Sequence, residues 1–201
     1  ALTELDMRSN QLTSLDLSQQ AELDDLDIAD NQIGSLDLSQ LPLLEVAYLF
    51  GNDLTEIDIS TNPELRYLNL SDNMISNVEA SGQYDEMYFL SLYGNQLSSI
   101  DLSPYTELDF LYLDRNMLTD IDLSLNSGLM YLTLGYNLFT SVDLSVNTEL
   151  IELRLSSNNL SSIDVSSNTA LTSLYLDQNL FVSELPVGLS SIVDTSATIS
   201  L

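Results

Sequence analysis

The chain has 201 residues and carries 31 Asp or Glu against 4 Lys or Arg, which gives a formal net charge of −27. This charge repels phosphate backbones and anionic lipid surfaces, so it excludes nonspecific binding of nucleic acid or of a membrane surface. Because Cys and His are absent, disulfides, zinc–thiolate sites and Ser-His-Asp triads are excluded. Hydrophobic residues reach 44%, so we expect a packed core, and no apolar run is long enough for membrane insertion.

One pattern, L-x-x-L-x-L-x-x-N, recurs along the chain at intervals of 21 residues, with a single interval of 22. A fixed period of this length indicates stacked units, so we predict a solenoid of about nine units over residues 1–187. Positions are counted below from the first residue of each unit. The units begin at Leu2, Leu23, Leu44, Leu65, Met87, Leu108, Leu129, Leu150 and Leu171.

Each unit predicts one short strand and one turn. The fourth and sixth positions lie two residues apart, so they point to one face of a strand and need neighbouring units to bury them. Position nine is always Asn, and we expect its amide to bind the backbone of its own and neighbouring turns. The second half of the unit alternates as well, as in Ile100, Asp101 and Leu102, and predicts a short extended segment on the opposite side.

The unit L-x-x-L-x-L-x-x-N-x-L-x-x-I-D-L-S-x-N resembles the leucine-rich repeat family, in particular the short bacterial class that includes internalin J. The resemblance implies a right-handed, horseshoe-shaped solenoid with a parallel β-sheet on the concave face, turns on the convex face and little helix. It also implies a secreted or cell-surface bacterial protein that works in binding or adhesion. Internalin J-like repeats often carry a Cys ladder in the strand, and these places hold Leu, Ile or Met here. The resemblance therefore predicts the fold and names no partner.

Three regions depart from the repeat. Residues 78–86 replace the usual second half of unit four and add one residue, which predicts a convex bulge or, alternatively, a kink or contact loop. The pattern fades after Phe181, so residues 188–201 are expected to form a terminal cap or the start of a following segment. Unit one begins at Leu2 without a polar cap, which predicts a piece of a longer protein or end-to-end self-association of chains.

Aromatic residues concentrate at the variable positions that face the concave side. Ten of the 15 Tyr and Phe lie there, nine of them in units three to seven. Position three is aromatic in four consecutive units, which predicts an unbroken ridge. All four basic residues are Arg in or beside the strands. The predicted ligand-binding residues are Tyr48, Phe50, Tyr67, Phe89, Tyr93, Phe110, Tyr112, Tyr131, Tyr136, Tyr175, Arg66, Arg115 and Arg154.

An exposed aromatic surface with Arg at its edges is typical of a site that binds a protein or a glycan. Cross-strand aromatic pairs can instead serve only to stabilise a sheet, although that role predicts aromatics in all nine units. We therefore predict a recognition or adhesion module, with a rigid structural spacer in a larger protein as the alternative. An enzyme is not expected, because a shallow sheet offers no cleft to raise the pKa of a catalytic carboxyl group.

Acidic residues form two predicted sets. Glu4, Asp6, Asp25 and Asp27 should cluster on the concave side of units one and two, where they bind calcium or form a solvated patch that Arg8 partly neutralises. No other cofactor is expected. The second set is a convex column that needs backbone N–H groups or cations to offset its repulsion. This column comprises Asp16, Asp37, Asp58, Glu79, Asp101, Asp122, Asp143 and Asp164.

Overall fold

The computed structural model describes residues 1–182, 186–189 and 198–200. Ten of its strands pair in parallel in one sheet, and two more form a small parallel sheet on the opposite side. The strands are β1 Glu4–Asp6, β2 Asp25–Asp27, β3 Val46–Tyr48, β4 Glu56–Asp58, β5 Tyr67–Asn69, β6 Asn77–Glu79, β7 Phe89–Ser91, β8 Phe110–Tyr112, β9 Tyr131–Thr133, β10 Glu152–Arg154, β11 Ser173–Tyr175 and β12 Thr198–Ser200.

The main sheet contains one strand from each unit, in chain order. Equivalent positions are paired, so Tyr67 lies beside Phe89 and Leu68 beside Leu90. The middle residue of the central strands is buried and its two neighbours face the concave side. The fourth position is therefore the core position, as the sequence predicts. The fold is a leucine-rich repeat solenoid, and in the described ranges it contains no α-helix.

Asn side chains tie each unit to the one before it. In unit six, Asn116 Oδ1 accepts a hydrogen bond from the Leu97 N–H at 2.9 Å. Its amide nitrogen donates to the carbonyls of Leu92 and Leu113 at 2.9 and 3.1 Å. This confirms the predicted ladder. The amide nitrogen bonds both units in the same way at Asn31, Asn52, Asn73, Asn95, Asn137, Asn158 and Asn179.

The convex side is mostly turns. The sequence predicts an extended segment in every unit, whereas the described part of the chain has convex strands only at β4 and β6. Elsewhere the described convex segments form no strand, and a turn follows them: Asn126 N–H donates to the Leu123 carbonyl at 3.0 Å. The same turn follows β4, where Asn62 N–H donates to the Ile59 carbonyl at 2.9 Å. The Asp122 carboxylate also accepts the Ser124 N–H at 2.9 Å, as Asp58 of β4 accepts the Ser60 N–H.

Unit four absorbs its extra residue on the convex side, as predicted. Tyr84 is buried there, where its hydroxyl donates to the Ile59 carbonyl at 2.6 Å. Burial raises the pKa of Tyr84 to about 12. The ring packs 5.3 Å from that of Tyr105 in the next unit. Because the insertion is taken up here, the pairing of β5 with β7 on the concave face continues without a shift.

The convex acidic column is held by backbone and Ser hydrogen bonds. Asp122 illustrates this: the hydroxyl and N–H of Ser124 bind its carboxylate and hold its pKa below the usual range. The backbone alternative of the sequence analysis is thus confirmed for seven of the eight acids, while Glu79 accepts from Asn77. The seven are Asp16, Asp37, Asp58, Asp101, Asp122, Asp143 and Asp164.

The chain end adds one more strand. Residues 198–200 pair in parallel with β11, so the sheet continues past the ninth unit. Much of the predicted terminal segment, residues 188–201, lies outside the described residues. Its role as a cap or as the start of a following segment, and the boundary at residue 187, stay predictions.

Candidate functional site

Four aromatic rings run across the concave face. We name Tyr67, Phe89, Phe110 and Tyr131 the aromatic ridge. The rings of Tyr67 and Phe89 stack at 4.1 Å between centroids, and those of Phe110 and Tyr131 stack at 4.9 Å. Phe89 and Phe110 join the two pairs at 6.2 Å, with a tilt of 37°. The predicted ridge geometry is therefore present and unbroken.

Two further predicted residues extend the aromatic ridge. The Tyr48 ring lies 4.8 Å from Tyr67, and Tyr112 lies 5.4 Å from Phe89. All of these rings are half-buried, because neighbouring rings cover part of each one. Stacked pairs of this kind contribute about 1 kcal/mol each beyond their buried area. The ridge thus stabilises the sheet and also presents rings whose positions are fixed in advance.

The structure places three of the predicted site residues elsewhere. Tyr93, Arg115 and Tyr136 follow the strands, at positions seven and eight, on the edge where the chain leaves the sheet. The Arg115 guanidinium carbon lies 5.8 Å from the centre of the Tyr93 ring and 5.0 Å from that of Tyr136. We name these three residues the arginine sandwich. No ring contact joins it to the aromatic ridge among the described residues.

Other predicted site residues are engaged with acids or lie at the ends. Arg66 binds Glu45 at 3.3 Å and Glu86 at 2.6 Å, before the strand begins. Arg154 binds Glu152 at 2.6 Å, and its guanidinium lies 4.6 Å from the Tyr175 ring in the last units. Phe50 borders the acidic hollow of the first units together with Tyr48. The predicted site residues thus form a central ridge, an edge sandwich and flanking contacts, rather than one continuous surface.

Position eight has a left-handed backbone in every unit. The φ angles at the neighbouring units are 66° for Gly94, 56° for Arg115 and 52° for Tyr136. A bulky side chain in this conformation costs about 1 kcal/mol relative to glycine. Six of the nine residues in this column are Gly, Asp or Ser, and the three larger ones are Arg115, Tyr136 and Gln178.

Sequence reasoning missed an apolar pair beside the arginine sandwich. Met117 and Leu138, at position ten, are each 48% exposed. The available signal was the position-ten column, which is polar in the first three units and apolar here. An exposed apolar pair next to a cation–π cluster is a common feature of a contact surface.

The acidic set of the first two units does assemble. Glu4 pairs with Asp25 and Asp6 with Asp27 across β1 and β2, beside a hollow of about 370 Å³. Burial and the neighbouring carboxylates raise the pKa of Asp25. Arg8 bridges Asp6 at 3.0 Å and Asp27 at 3.3 Å.

This geometry supports neutralisation by Arg8 over a preformed metal site. In the ranges that the structure describes, no three acidic side chains converge so as to hold a metal ion. Calcium binding at Glu4, Asp6, Asp25 and Asp27 stays a prediction. Melting curves with and without millimolar calcium test it, since a bound ion raises the melting temperature.

Asp114, the residue before Arg115 of the arginine sandwich, has a partly buried carboxylate. It accepts hydrogen bonds from the Gly135 N–H at 3.0 Å and from the Thr133 hydroxyl. Burial outweighs these bonds and raises the pKa of Asp114. A raised pKa means that its stabilising contribution is present at low pH and is lost as the pH rises through the folded-state pKa.

Replacing Asp114 with Asn is therefore expected to raise the melting temperature at pH 7. This rise in melting temperature should become smaller at a pH below the usual pKa of a carboxyl group, because the side chain at position 114 is then neutral in both proteins. Thermal unfolding of Asp114→Asn and the parent at pH 7 and pH 3 measures this. The matched control is Asp122→Asn, whose lowered pKa predicts a loss at pH 7. Equal effects of the two substitutions would contradict the assignment.

Solved structures of leucine-rich repeat proteins match this fold. An LRR protein of Leptospira interrogans, LIC12759, aligns with a TM-score of 0.76 at 22% identity, over 98% of this chain and 60% of its own. YopM from Yersinia enterocolitica aligns with a TM-score of 0.76 at 29% identity, over 90% and 39%. The LRIM1/APL1C complex aligns with a TM-score of 0.78 at 26% identity, over 98% and 37%.

The chain is thus similar to bacterial leucine-rich repeat proteins with a short repeat, and it spans 60% or less of the length of these three structures. No family model and no curated protein matches the sequence. None of the described residues belongs to a helix long and apolar enough to cross a membrane.

Proposed function

We propose that this chain is a non-catalytic recognition module of a secreted or cell-surface bacterial protein, and that it binds a protein ligand on its aromatic ridge. The observation that carries the proposal is the ridge itself: four rings in register on a concave sheet, each half-exposed and held by its neighbours. Similarity to solved structures that include the LRIM1/APL1C complex supports interaction as the function.

Fixed aromatic rings favour binding for an energetic reason. A flexible side chain loses about 1 kcal/mol of rotamer entropy when a ligand immobilises it. Rings already stacked on one another, such as Phe110 and Tyr131, have lost most of that freedom on folding. Tyr is also enriched among the residues that dominate binding energy at protein interfaces.

The net charge limits the kind of partner. With −27 on the chain, long-range attraction steers a basic protein surface towards the chain and repels an acidic one. We therefore expect association rates to fall as salt rises, because screening weakens this attraction.

A structural spacer is the second candidate, and the Asn ladders favour it. Besides Asn116 and its equivalents, buried Asn126 and Asn147 donate to carbonyls of the preceding unit on the convex side. Hydrogen bonds that cross every interface between units stiffen the stack along its axis. A spacer needs this stiffness and has no use for the half-exposed rings.

The two candidates differ when the ridge is removed. The labelled chain and a Phe89→Ala, Phe110→Ala, Tyr112→Ala variant are applied to protein and glycan arrays, with intact folding verified by circular dichroism. The control variant truncates three exposed apolar residues off the ridge: Leu43→Ala, Leu125→Ala and Val146→Ala. Recognition predicts protein spots that the ridge variant loses and the control retains. Equal binding by all three proteins contradicts the recognition proposal. Binding to glycan spots alone would mean that the ligand is a sugar and not a protein.

A further inference from the structure

The arginine sandwich contains an unpaired cation. Arg115 forms no ion pair with any described residue, whereas Arg8, Arg66 and Arg154 each bind a carboxylate. Its side chain is exposed. The chain has 31 acidic and 4 basic residues, so acidic partners are abundant, yet Arg115 packs against two tyrosine rings and pairs with none of the described acids.

The two tyrosines orient the guanidinium and leave its edge open. Tyr136 and Tyr93 lie over it at 5.0 and 5.8 Å. Rings stack against the face of a guanidinium, while its N–H donors point outward in the plane. The acid next in sequence, Asp114, is bonded to the Gly135 N–H instead. The free edge of Arg115 is thus available to an acceptor from another molecule.

Apolar contact area lies in the same two units. Met117 follows Arg115 by two residues, Leu138 follows Tyr136 by two, and both are half-exposed. Their polar neighbours Asn116 and Asn137 point inward and belong to the ladder. A partner that places a carboxylate on the guanidinium edge can therefore cover these two side chains with an apolar residue.

We propose that the arginine sandwich, together with Met117 and Leu138, docks a protein partner through one acidic side chain that is flanked by an apolar residue. A carboxylate fits the guanidinium edge with two parallel hydrogen bonds. Local charge complementarity supports a single acidic side chain rather than an acidic stretch, since Arg115 is the one cation that the described residues leave unneutralised in a chain of net charge −27. The surface is separate from the aromatic ridge, so the inference does not depend on the ridge being a binding site.

Nuclear magnetic resonance can observe this docking directly. All four basic residues are Arg, so the folded chain labelled with ¹⁵N-arginine gives few side-chain Nε–H signals. The probe is the blocked peptide acetyl-Leu-Glu-Leu-amide, and the matched peptide carries Gln in place of Glu. We expect saturable movement of the Arg115 signal with the Glu peptide, at least about tenfold weaker binding of the Gln peptide, and little change at Arg66, which is already paired.

Variants and a third peptide complete the test. Arg115→Gln should abolish binding, and Arg115→Lys should weaken it, because an ammonium lacks the planar fork. Tyr136→Gly removes one ring at a position whose φ of 52° suits glycine, so the chain folds and binding weakens, while Tyr136→Phe retains it. Equal response to the Glu and Gln peptides, or no saturable shift at Arg115, overturns the proposal. If acetyl-Leu-Leu with a free C-terminal carboxylate binds more tightly than the Glu peptide, the surface prefers a terminal carboxylate. That result overturns the proposal that the partner docks through an acidic side chain.

Discussion

Replacing Asn116 with alanine should lower the free energy of unfolding by about 3 kcal/mol, the largest stability effect we expect from a single polar side chain. The substitution leaves the buried Leu97 N–H without its partner. It also removes one of the two Asn donors at each of the Leu92 and Leu113 carbonyls, which keep their bonds from Asn95 and Asn137. Each buried polar group left unsatisfied costs about 1–3 kcal/mol. Urea denaturation followed by circular dichroism measures the loss, and a fall in melting temperature of about 10 °C should accompany it.

Asn159 is the matched control, since it is the same residue type directly after a ladder residue, Asn158, and is not itself part of the ladder. It is exposed, and its side chain makes no hydrogen bond to a described residue; only its backbone N–H is bound, to the Phe139 carbonyl. Asn159→Ala should change stability by less than about 0.5 kcal/mol. Similar losses for the two alanine variants would mean that the ladder does not hold the units together.

Replacing Phe110 with alanine should weaken ligand affinity about 100-fold while the chain stays folded. Phe110 stands at the centre of the aromatic ridge, stacked on Tyr131 and tilted against Phe89. Central aromatic residues of an interface cost 2 kcal/mol or more when truncated, and a 100-fold loss corresponds to about 2.8 kcal/mol. Titration of the ligand identified on the arrays, by calorimetry, gives the affinity ratio.

Stability should respond much less than affinity, because the ring is half-exposed and loses stacking rather than a place in the core. We expect about 1–2 kcal/mol of destabilisation from the lost cross-strand pairs. Leu125→Ala is the control. This residue is 55% exposed on the convex side, so ligand affinity and stability should both equal those of the unsubstituted chain. If Phe110→Ala costs stability but leaves affinity intact, the ridge serves the sheet alone.

Much of the fold could be predicted from sequence, because residues with the same structural role recur at the same position of every unit. Nine Asn at one phase predicted the ladder, and alternating apolar positions predicted the buried face of the strands. The aromatic ridge followed from the same logic, since position three of adjacent units must lie side by side in a parallel sheet. The actual pairing of Tyr67, Phe89, Phe110 and Tyr131 has this register.

The details that depend on local geometry were not predictable in this way. The alternation around Ile100 and Leu102 indicates a strand, but these residues belong to no strand and a turn begins directly after them, at residue 103. Tyr93, Arg115 and Tyr136 were assigned to the same surface as the ridge, because a column alone does not show where a strand ends. Arg115 and Tyr136 lie at the left-handed position eight, where the chain leaves the sheet, and Tyr93 lies two residues past the end of β7.

The charge of the chain is also arranged more specifically than its total suggests. The convex acids are stabilised one by one through local hydrogen bonds, as at Asp122. Arg8 bridges the acidic pair of the first two strands. Among the described residues, Arg115 at the sheet edge is the one guanidinium without an ion pair, and this is visible only once the ion pairs are known.

Hydroxyl-radical footprinting with the bound ligand tests the central claim most directly, because it reports the solvent exposure of individual aromatic and apolar side chains. The recognition account predicts that the ligand protects Phe89, Phe110 and Tyr131 from oxidation, while Leu125 and Val146 on the convex side react as in the free chain. Protection confined to the convex side, with the rings of the aromatic ridge as reactive as before, would contradict it.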